Sequence, residues 1–328
     1  MFTMQDFSKK QIVFVFFNEG EKLSFGNDNL IVKENNGKIK FQCTCYRLFI
    51  IFAVGHTSIT SALIQKSNKF GFYIALMTPG FKLYSIIGAK KDGNTLLHKK
   101  QYNYVGLEIA KVITKNKMCN QMAELKSVRN KSDAVKDAIS VISKYVDFIK
   151  DTDTLNELLA YEGLASKIYF RNHFNTFRWN GRQPRIKRDC INSTLDIGYT
   201  LLFTFVDALL SSYGFDTYCG VMHRQFYMRK SLVCDLVEPF RPLIDHQVKI
   251  SVNLKQIKES DFTLINGQYR LKWEKSADYV KILMKPILEN KEGIFVYIRS
   301  YYRSFMKELP PEKFPTFEIG ENNDFNKL

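Results

Sequence analysis

The sequence has few cysteines, and none of them lies in a zinc-binding pattern. Its 328 residues include six, at positions 43, 45, 119, 190, 219 and 234. No two have the CxxC spacing, and the CxC at 43–45 has no second half that would complete a four-ligand site. This usage is typical of reduced thiols in a cytoplasmic protein. We therefore expect neither disulfides nor structural zinc.

The sequence also lacks the long apolar run of a signal peptide or a membrane span. The N-terminus, MFTMQDFSKKQ, has charges where a signal peptide needs its apolar core. The longest apolar stretches are interrupted by Arg47, His56, Asp196 and Asp207. We therefore expect no segment of transmembrane length, no membrane partner and a cytoplasmic location.

Acidic residues are under-represented. The 33 Asp and Glu face 48 Lys and Arg, so the formal net charge is +15 and the sequence pI is about 9.4. Hydrophobic residues at 45% and aromatic residues at 14% are sufficient for large cores, which excludes a disordered chain. The basic excess predicts an anionic partner, usually nucleic acid and less often a membrane surface.

The first 95 residues have the pattern of short β-strands. Strand-like runs lie at 12–17, 72–78 and 82–88, and Asn36-Gly37 separates two more as a tight hairpin turn. One helix interrupts them within 58–71, and Gly71 is placed to end it. This spacing predicts a small sheet or sandwich rather than a doubly wound parallel sheet.

Beyond Gln101 the apolar period becomes that of helices. Ser132 is placed to cap one amphipathic helix, and Thr154 with Glu157 forms a capping-box pattern at the start of another. A third, at roughly 192–213, is apolar on most sides and ends at Gly214. We predict an α+β protein. Residues 1–95 form a sandwich-like β-rich domain, and residues 96–328 form a larger all-α catalytic domain with a loose tail after Met306.

Glu162 lies where its helix should be apolar. The apolar positions Leu158 and Leu159 are followed, one turn later, by Glu162. A carboxylate facing a core is costly unless a cation or hydrogen-bond donors meet it. From this helix alone, a structural ion pair and a functional site are equally good interpretations.

A strongly basic segment follows directly. Residues 163–188 contain no acidic residue, and their arginines and lysines alternate with five aromatic residues. Such a mixture suits phosphate contact together with base stacking. The alternative is a solvated basic loop with ordinary packing aromatics.

His223 and Glu238 are a second candidate pair. On one unbroken helix they would lie about 22 Å apart, because each residue rises about 1.5 Å. The chain must therefore turn between them if they share a site, and Ser231 is a plausible cap for a new helix that carries Asp235 and Glu238. One histidine with two carboxylates suits Mg²⁺ or Mn²⁺ better than structural zinc. A lone histidine is, however, more often a core residue.

Four blocks of the sequence, in this order, resemble one family. They are Tyr161-Glu162-Gly163 to Tyr169-Phe170, Arg185 to Asp189 with Asn192 and Gly198-Tyr199, Gly220-x-x-His223, and Asp235-x-x-Glu238 to Asp245. Met222 and Pro239 depart from the usual residues, but neither removes a ligand. The family is the CRISPR-associated endonuclease–integrase that is the catalytic subunit of spacer acquisition in antiviral defence, here possibly of a type V system.

The resemblance implies a metal site and a reaction. Glu162, His223 and Glu238 would bind one Mg²⁺ or Mn²⁺, with Asp235 as an accessory residue that orients a ligand. The reaction would be transesterification, in which a DNA 3′-hydroxyl attacks a phosphodiester of the CRISPR repeat. Five arginines would contact DNA phosphates rather than bases: Arg178, Arg182, Arg185, Arg224 and Arg241.

The resemblance also implies partners. These are double-stranded DNA, a second copy of the chain in a homodimer that uses the β domain, and a small ferredoxin-like subunit that bridges two dimers. Three alternatives stay open: a non-catalytic DNA-binding scaffold, a related integrase of a mobile element, and a structural RNA-binding protein. The scaffold predicts a broken ligand set, and RNA binding does not explain Glu162 on an apolar stripe.

Overall fold

The N-terminal part is built mainly of strands. The computed structural model describes residues 3–89, 91–174, 179–223 and 227–320. The elements of this part are α1 (Met4–Ser8), β1 (Gln11–Phe17), β2 (Lys22–Gly26), β3 (Asn29–Lys33), β4 (Ile39–Thr44), β5 (Leu48–Gly55), α2 (Ser61–Phe70), β6 (Tyr73–Met77) and β7 (Leu83–Gly88).

These strands form two sheets. One has the order β1-β5-β6-β7, with β1, β5 and β6 parallel and β7 antiparallel to β6, and the other is the antiparallel sheet β2-β3-β4. The predicted hairpin is confirmed, because β3 and β4 pair across the Asn36-Gly37 turn, where Gly37 has φ 83°. The helix α2 also ends as predicted at Gly71, which is left-handed.

Strand β5 is buried on both faces, which explains its continuous apolar sequence LFIIFAVG. Ile51 and Ala53 join an apolar cluster with residues of β2, β3 and α2, so the two sheets share one core. Phe52 and Val54 point to the other side, into the cluster formed with the helices. The alternation follows from the two-residue period of a strand.

Helices dominate the rest of the chain. They are α3 (Thr95–Asn103), α4 (Glu108–Lys126), α5 (Asp133–Phe148), α6 (Leu155–His173), α7 (Cys190–Tyr213), α8 (Ser231–Val237), α9 (Arg241–Asn253), α10 (Ser276–Glu289) and α11 (Lys291–Met306). Ser132 caps α5, and Thr154 with Glu157 forms a full capping box on α6. The layout of a β-rich part followed by a helical part confirms the predicted α+β class, and the boundary at residue 95 stays a prediction.

The helix α7 is the centre of the helical part, as expected, and ends at the left-handed Gly214. Phe205 on α7 packs edge-on against Phe49 of β5, so the core continues from the sheet into the helices. The expectation that no segment reaches transmembrane length is wrong for α7, which is long and apolar enough. Most of that helix is buried inside the molecule, as in the core helix of a globular fold.

Three details differ from the sequence analysis. A hairpin of β8 (Phe262–Ile265) and β9 (Gln268–Leu271) lies within the part expected to be all-α. Ser231 begins α8 but does not cap it, because Lys230 holds the cap position and no side chain bonds there. The tail after Met306 is not loose as far as Gly320, because Phe314 and Phe317 are buried and Asn116 of α4 bonds both the N–H and the C=O of Phe317.

Candidate active site

A cavity of about 2090 Å³ lies between strand β7 and the helices α4, α6 and α7. Glu162, His223 and Glu238 all line it, although they come from different parts of the chain. Its charged residues are mostly basic: four are acidic (Glu162, Asp196, Glu238 and Asp245) and ten are basic (Lys82, Lys117, Lys167, Arg171, Arg182, Arg185, Lys187, Arg229, Lys230 and Arg241). A groove with this charge attracts a polyanion.

Glu162 lies on α6 at the position where the apolar stripe is interrupted. Its Oε1 accepts a hydrogen bond from Ser166 Oγ at 3.0 Å, one helical turn further on. The same oxygen forms an ion pair with Lys117 Nζ of α4. Both a cation and a hydrogen-bond donor therefore meet this carboxylate, and the cation comes from a helix earlier in the chain.

Glu238 lies in the 3₁₀ turn Glu238–Phe240 that separates α8 from α9. Its side chain is 5% exposed and has a cation on each oxygen: Arg241 lies 3.0 Å from Oε1, and Lys117 Nζ lies 2.6 Å from Oε2. Burial raises the pKa of Glu238, but the charges of Arg241 and Lys117 outweigh that effect, so its pKa lies below the usual value. Glu238 is therefore a carboxylate at neutral pH.

Lys117 joins the two carboxylates and is not among the site residues predicted from the sequence. Burial lowers the pKa of Lys117, but Glu162 and Glu238 more than reverse this, so its pKa is raised and the side chain stays charged. A signal for it is present in the sequence of α4. Polar residues recur there with helical spacing at 114, 117, 120, 121 and 124, and all are buried, so α4 has a polar stripe on an inner face.

His223 lies beyond the end of α7, in a loop whose described part ends at this residue. Its Nδ1 lies 2.7 Å from Asp235 Oδ1, and its backbone N–H donates to the same oxygen at 3.0 Å. The N–H groups of Val221 and Met222 donate to Asp235 Oδ2 at 2.7 and 3.0 Å. Asp235 is fully buried, so it holds both the loop and the imidazole and leaves Nε2 as the ring nitrogen for a ligand.

Gly220 allows this loop to approach α8. A Cβ atom at this position would lie 2.7 Å from Asp235 Oδ2 and 2.9 Å from the backbone carbonyl carbon of Ser231. Both distances are shorter than any ordinary contact, and neither neighbour is a flexible side-chain end. The Gly-x-x-His spacing therefore has a steric reason: the chain must touch Asp235 three residues before the histidine.

The structure brings the predicted ligands together in part. Glu162 and Glu238 meet at one cation, while His223 lines the same cavity on its Asp235 support. Among the described residues, no three His, Cys, Asp or Glu side chains lie close enough to form a metal site. The donor chemistry still fits a hard divalent ion, because two carboxylates already converge on a positive charge and one imidazole nitrogen remains available.

The predicted phosphate-binding arginines fall into three groups. Arg182 and Arg241 have internal partners, since Arg182 lies 2.5 Å from Asp196 and Arg241 pairs with Glu238. Both guanidinium groups also lie over the ring of Tyr199, at 5.2 and 4.8 Å from its centroid. Arg185 is exposed and lines the cavity. Arg178 and Arg224 lie outside the described residues, and contact of all five with DNA stays a prediction.

Below these arginines lies a buried carboxyl group. The hydroxyl group of Tyr199 donates to Asp245 Oδ1, and Asp245 is almost fully buried. Burial raises the pKa of Asp245 to about 7, even though Tyr199 and Arg182 oppose the shift. Asp245 thus anchors the ring on which the two arginines stack.

The chain is similar to proteins of one family. The sequence model described as CRISPR associated protein Cas1 matches residues 14–284. A CRISPR-associated endonuclease Cas1 from Leptospira interrogans is 31% identical over 225 residues, which is 65% of this chain and 87% of that protein.

Solved structures agree at the level of the fold. A Cas6-RT-Cas1–Cas2 complex matches with a TM-score of 0.81 and 20% identity, over 95% of this chain and 36% of that one. A casposase bound to integration product matches with a TM-score of 0.78 and 20% identity, over 97% of both chains. The resemblance drawn from the four sequence blocks is thereby confirmed: the chain belongs to the family of CRISPR associated protein Cas1.

Proposed function

We propose that this chain is a divalent-metal-dependent DNA endonuclease and integrase that inserts short DNA fragments into a CRISPR array. The observation that carries the proposal is the pair Glu162 and Glu238, two carboxylates from separate elements that meet at one positive charge in a basic cavity. Two carboxylates brought together in this way, with Glu238 buried and Glu162 partly buried, are costly for the fold alone. A role in cation-dependent chemistry accounts for them.

Glu162, Glu238 and Nε2 of His223 would hold the metal, Mg²⁺ or Mn²⁺. When bound, the metal would polarise the scissile phosphate and stabilise the attacking and leaving oxygens. Other residues of the chain hold these ligands in position. Asp235 fixes the tautomer and direction of His223, and Arg241 holds Glu238 by the oxygen that Lys117 does not contact.

The reaction joins a DNA fragment to the repeat without net loss of a phosphodiester. The 3′-hydroxyl oxygen of the fragment forms a bond to phosphorus, and the bond from phosphorus to the 3′ oxygen of the repeat strand breaks. The basic wall of the cavity, including the exposed Arg185, would neutralise phosphates and set the register of both DNA molecules. Contacts with phosphates do not depend on the base sequence of the DNA.

The proposed assembly is a homodimer through the β-rich part, residues 1–95, with residues 96–328 as the catalytic part. A small ferredoxin-like subunit would bridge two dimers. The Cas1–Cas2 complex among the similar structures supports a partner of this kind, and the casposase bound to integration product supports DNA as substrate. That casposase also keeps an integrase unrelated to CRISPR as the second candidate.

Strand transfer tests the proposal. The protein, with and without its partner subunit, is incubated with labelled 3′-hydroxyl DNA and supercoiled plasmids that carry or lack a CRISPR repeat, in Mg²⁺, Mn²⁺ or EDTA. We expect metal-dependent joining that Glu162→Ala and His223→Ala abolish while DNA binding is retained. Asp137→Ala, which removes an exposed carboxylate on α5, serves as the control and should join normally.

Two results would change the conclusion. DNA binding without joining under every metal and partner condition would favour the non-catalytic scaffold. Joining that is equally efficient on the plasmid without a repeat would favour the mobile-element integrase. The target DNA must distinguish the two integrases, because their ligand sets are the same.

A further inference from the structure

Lys117 lies where two proposed metal ligands meet. Its ammonium contacts Oε1 of Glu162 and lies 2.6 Å from Oε2 of Glu238. The Lys117 side chain is 10% exposed, and that of Glu238 is 5% exposed. The ammonium therefore neutralises both carboxylates in a setting with little solvent, where an uncompensated carboxylate would be strongly unfavourable.

The ammonium and a divalent ion cannot both use these oxygens. Metal–oxygen bonds in such sites are about 2.0–2.6 Å long, which is no longer than the contact from Lys117 to Glu238 Oε2. An ion bound to Oε1 of Glu162 and Oε2 of Glu238 would overlap with Nζ and repel its charge. Arg241 causes no such conflict, because it contacts the other oxygen of Glu238, Oε1.

We propose that Lys117 and the divalent metal compete for Glu162 and Glu238. Lys117 is a positioning residue that holds the two carboxylates together, and its ammonium moves into the cavity when the metal binds. The inference rests on the metal site of the proposed function and adds a step to it: the ligands are arranged by a cation of the chain before the metal arrives.

The released side chain has a place to go. Lys117 already lines the cavity, as do Gln121 and Ser166, and its four-carbon stem lets the ammonium turn away while α4 stays fixed. The charges of Lys117, Arg241, Glu162 and Glu238 sum to zero. A divalent ion makes the sum positive, so the freed ammonium is drawn to a DNA phosphate, which restores part of the balance.

Binding of Mn²⁺ alone, without DNA, tests the competition. Mn²⁺ affinity is measured by electron paramagnetic resonance on the full chain, for the wild type, Lys117→Met and Lys115→Met. Lys117→Met removes the competing charge and keeps an unbranched side chain, so we expect Mn²⁺ to bind about tenfold more tightly. Lys115→Met, on the exposed side of the same helix, should bind as the wild type does.

A second measurement needs no substitution at the site, in case Lys117→Met fails to fold. Acylation of lysines by an amine-reactive ester is followed by mass spectrometry with and without Mn²⁺ in the wild-type protein. We expect Lys117 to be protected without Mn²⁺ and to react several-fold faster with it. Lys136, which is largely exposed, should react at the same rate in both conditions.

The outcomes separate the two proposals. If the wild type binds Mn²⁺ but a folded Lys117→Met binds it equally well or more weakly, the competition is overturned and the metal site stands. The same conclusion follows if the wild type binds Mn²⁺ without a change in the acylation of Lys117. No Mn²⁺ binding by the wild type or by Lys117→Met overturns the metal site and the competition together.

Discussion

The carboxyl group of Asp235 contacts both the backbone and the imidazole ring of His223. One carboxylate oxygen of Asp235 accepts the backbone N–H of His223 at 3.0 Å and lies 2.7 Å from Nδ1. The other oxygen accepts two further N–H groups of the same loop. Residues 221–223 are thereby attached to α8, so the histidine is positioned by a buried carboxyl group and not by a helix or strand of its own.

Asp235→Asn should damage both the fold and the reaction. The substitution keeps the volume but places an NH₂ group against backbone N–H donors, which leaves buried groups without partners. We expect a loss of about 2–3 kcal/mol in the free energy of unfolding and a fall of about 10- to 100-fold in strand transfer. Urea denaturation and the joining assay measure the two effects, and wild-type joining by Asp235→Asn would contradict the role of Asp235.

Gly220→Ala and Gly163→Ala should have opposite effects on stability. The new Cβ at Gly220 would meet Asp235 and Ser231 at less than 3 Å, so we expect a loss of about 2–3 kcal/mol in the free energy of unfolding. Gly163 lies within α6, and its Cβ would meet nothing within 4 Å. There alanine should add about 0.5–1 kcal/mol, because glycine is the poorer helix former. Thermal unfolding of both variants measures these effects. A Gly220→Ala variant as stable as the wild type would contradict the steric argument.

Of the three residues proposed as metal ligands, only Glu162 breaks a local pattern of the sequence. It interrupts an apolar stripe on α6, whereas His223 and Glu238 are assigned through the family resemblance, and the start of α8 at Ser231 shows that they do not lie on one unbroken helix. Lys117 could not be found in the same way. Its helix neighbours are polar, and its meaning depends on two carboxylates that lie 45 and 121 residues later in the chain.

Composition also failed to predict which parts of the chain are well packed. Prolines and polar residues after Met306 indicate a loose tail. In the structure, however, Phe314 and Phe317 are buried there, and the backbone of Phe317 forms hydrogen bonds with α4. In the basic segment, net charge does not separate arginines held by internal carboxylates, such as Arg182, from exposed ones, such as Arg185. Both distinctions depend on tertiary contacts that have no local signal.

Arg182 and Arg185 should therefore differ when each is replaced by alanine. Arg182→Ala leaves the partly buried Asp196 without its cation and should cost about 3 kcal/mol in the free energy of unfolding. Arg185→Ala should change stability by less than about 0.5 kcal/mol and weaken DNA binding, lowering the slope of log affinity against log salt concentration by about 0.9. Fluorescence anisotropy at several salt concentrations measures that slope. An unchanged slope in Arg185→Ala would exclude its phosphate contact.

Asn116→Ala and Asn120→Ala should separate tail packing from catalysis. Asn116 bonds only Phe317 among the described contacts of its side chain, whereas Asn120 donates at 2.8 Å both to Phe317 O and to Pro239 O, beside Glu238. We expect each substitution to cost about 2–3 kcal/mol in the free energy of unfolding, because buried polar groups lose their partners. Only Asn120→Ala should also slow strand transfer, since only it frees the turn that carries Glu238. Equal joining rates for the two folded variants would contradict this link.

Asp245 should make stability depend on pH. Burial raises its pKa to about 7 from an ordinary value of 3.8, so between these values the folded protein holds a proton that the unfolded chain releases. The free energy of unfolding must then fall as the pH rises through this window, by at most about 4 kcal/mol. Asp245→Asn cannot ionise, so it should lose this part of the pH dependence.

Urea denaturation at pH 5 and pH 8 checks this sign. Relative to the wild type, we expect Asp245→Asn to be similar in stability at pH 5 and more stable at pH 8, because only there does the wild type bear the cost of a buried charge. The opposite order would mean that Tyr199, Tyr169, Arg182 and Arg241, which all act on Asp245, hold it as a carboxylate. In that case Asp245 would hold Arg182 and Arg241 by its charge and not through the hydrogen bond from Tyr199.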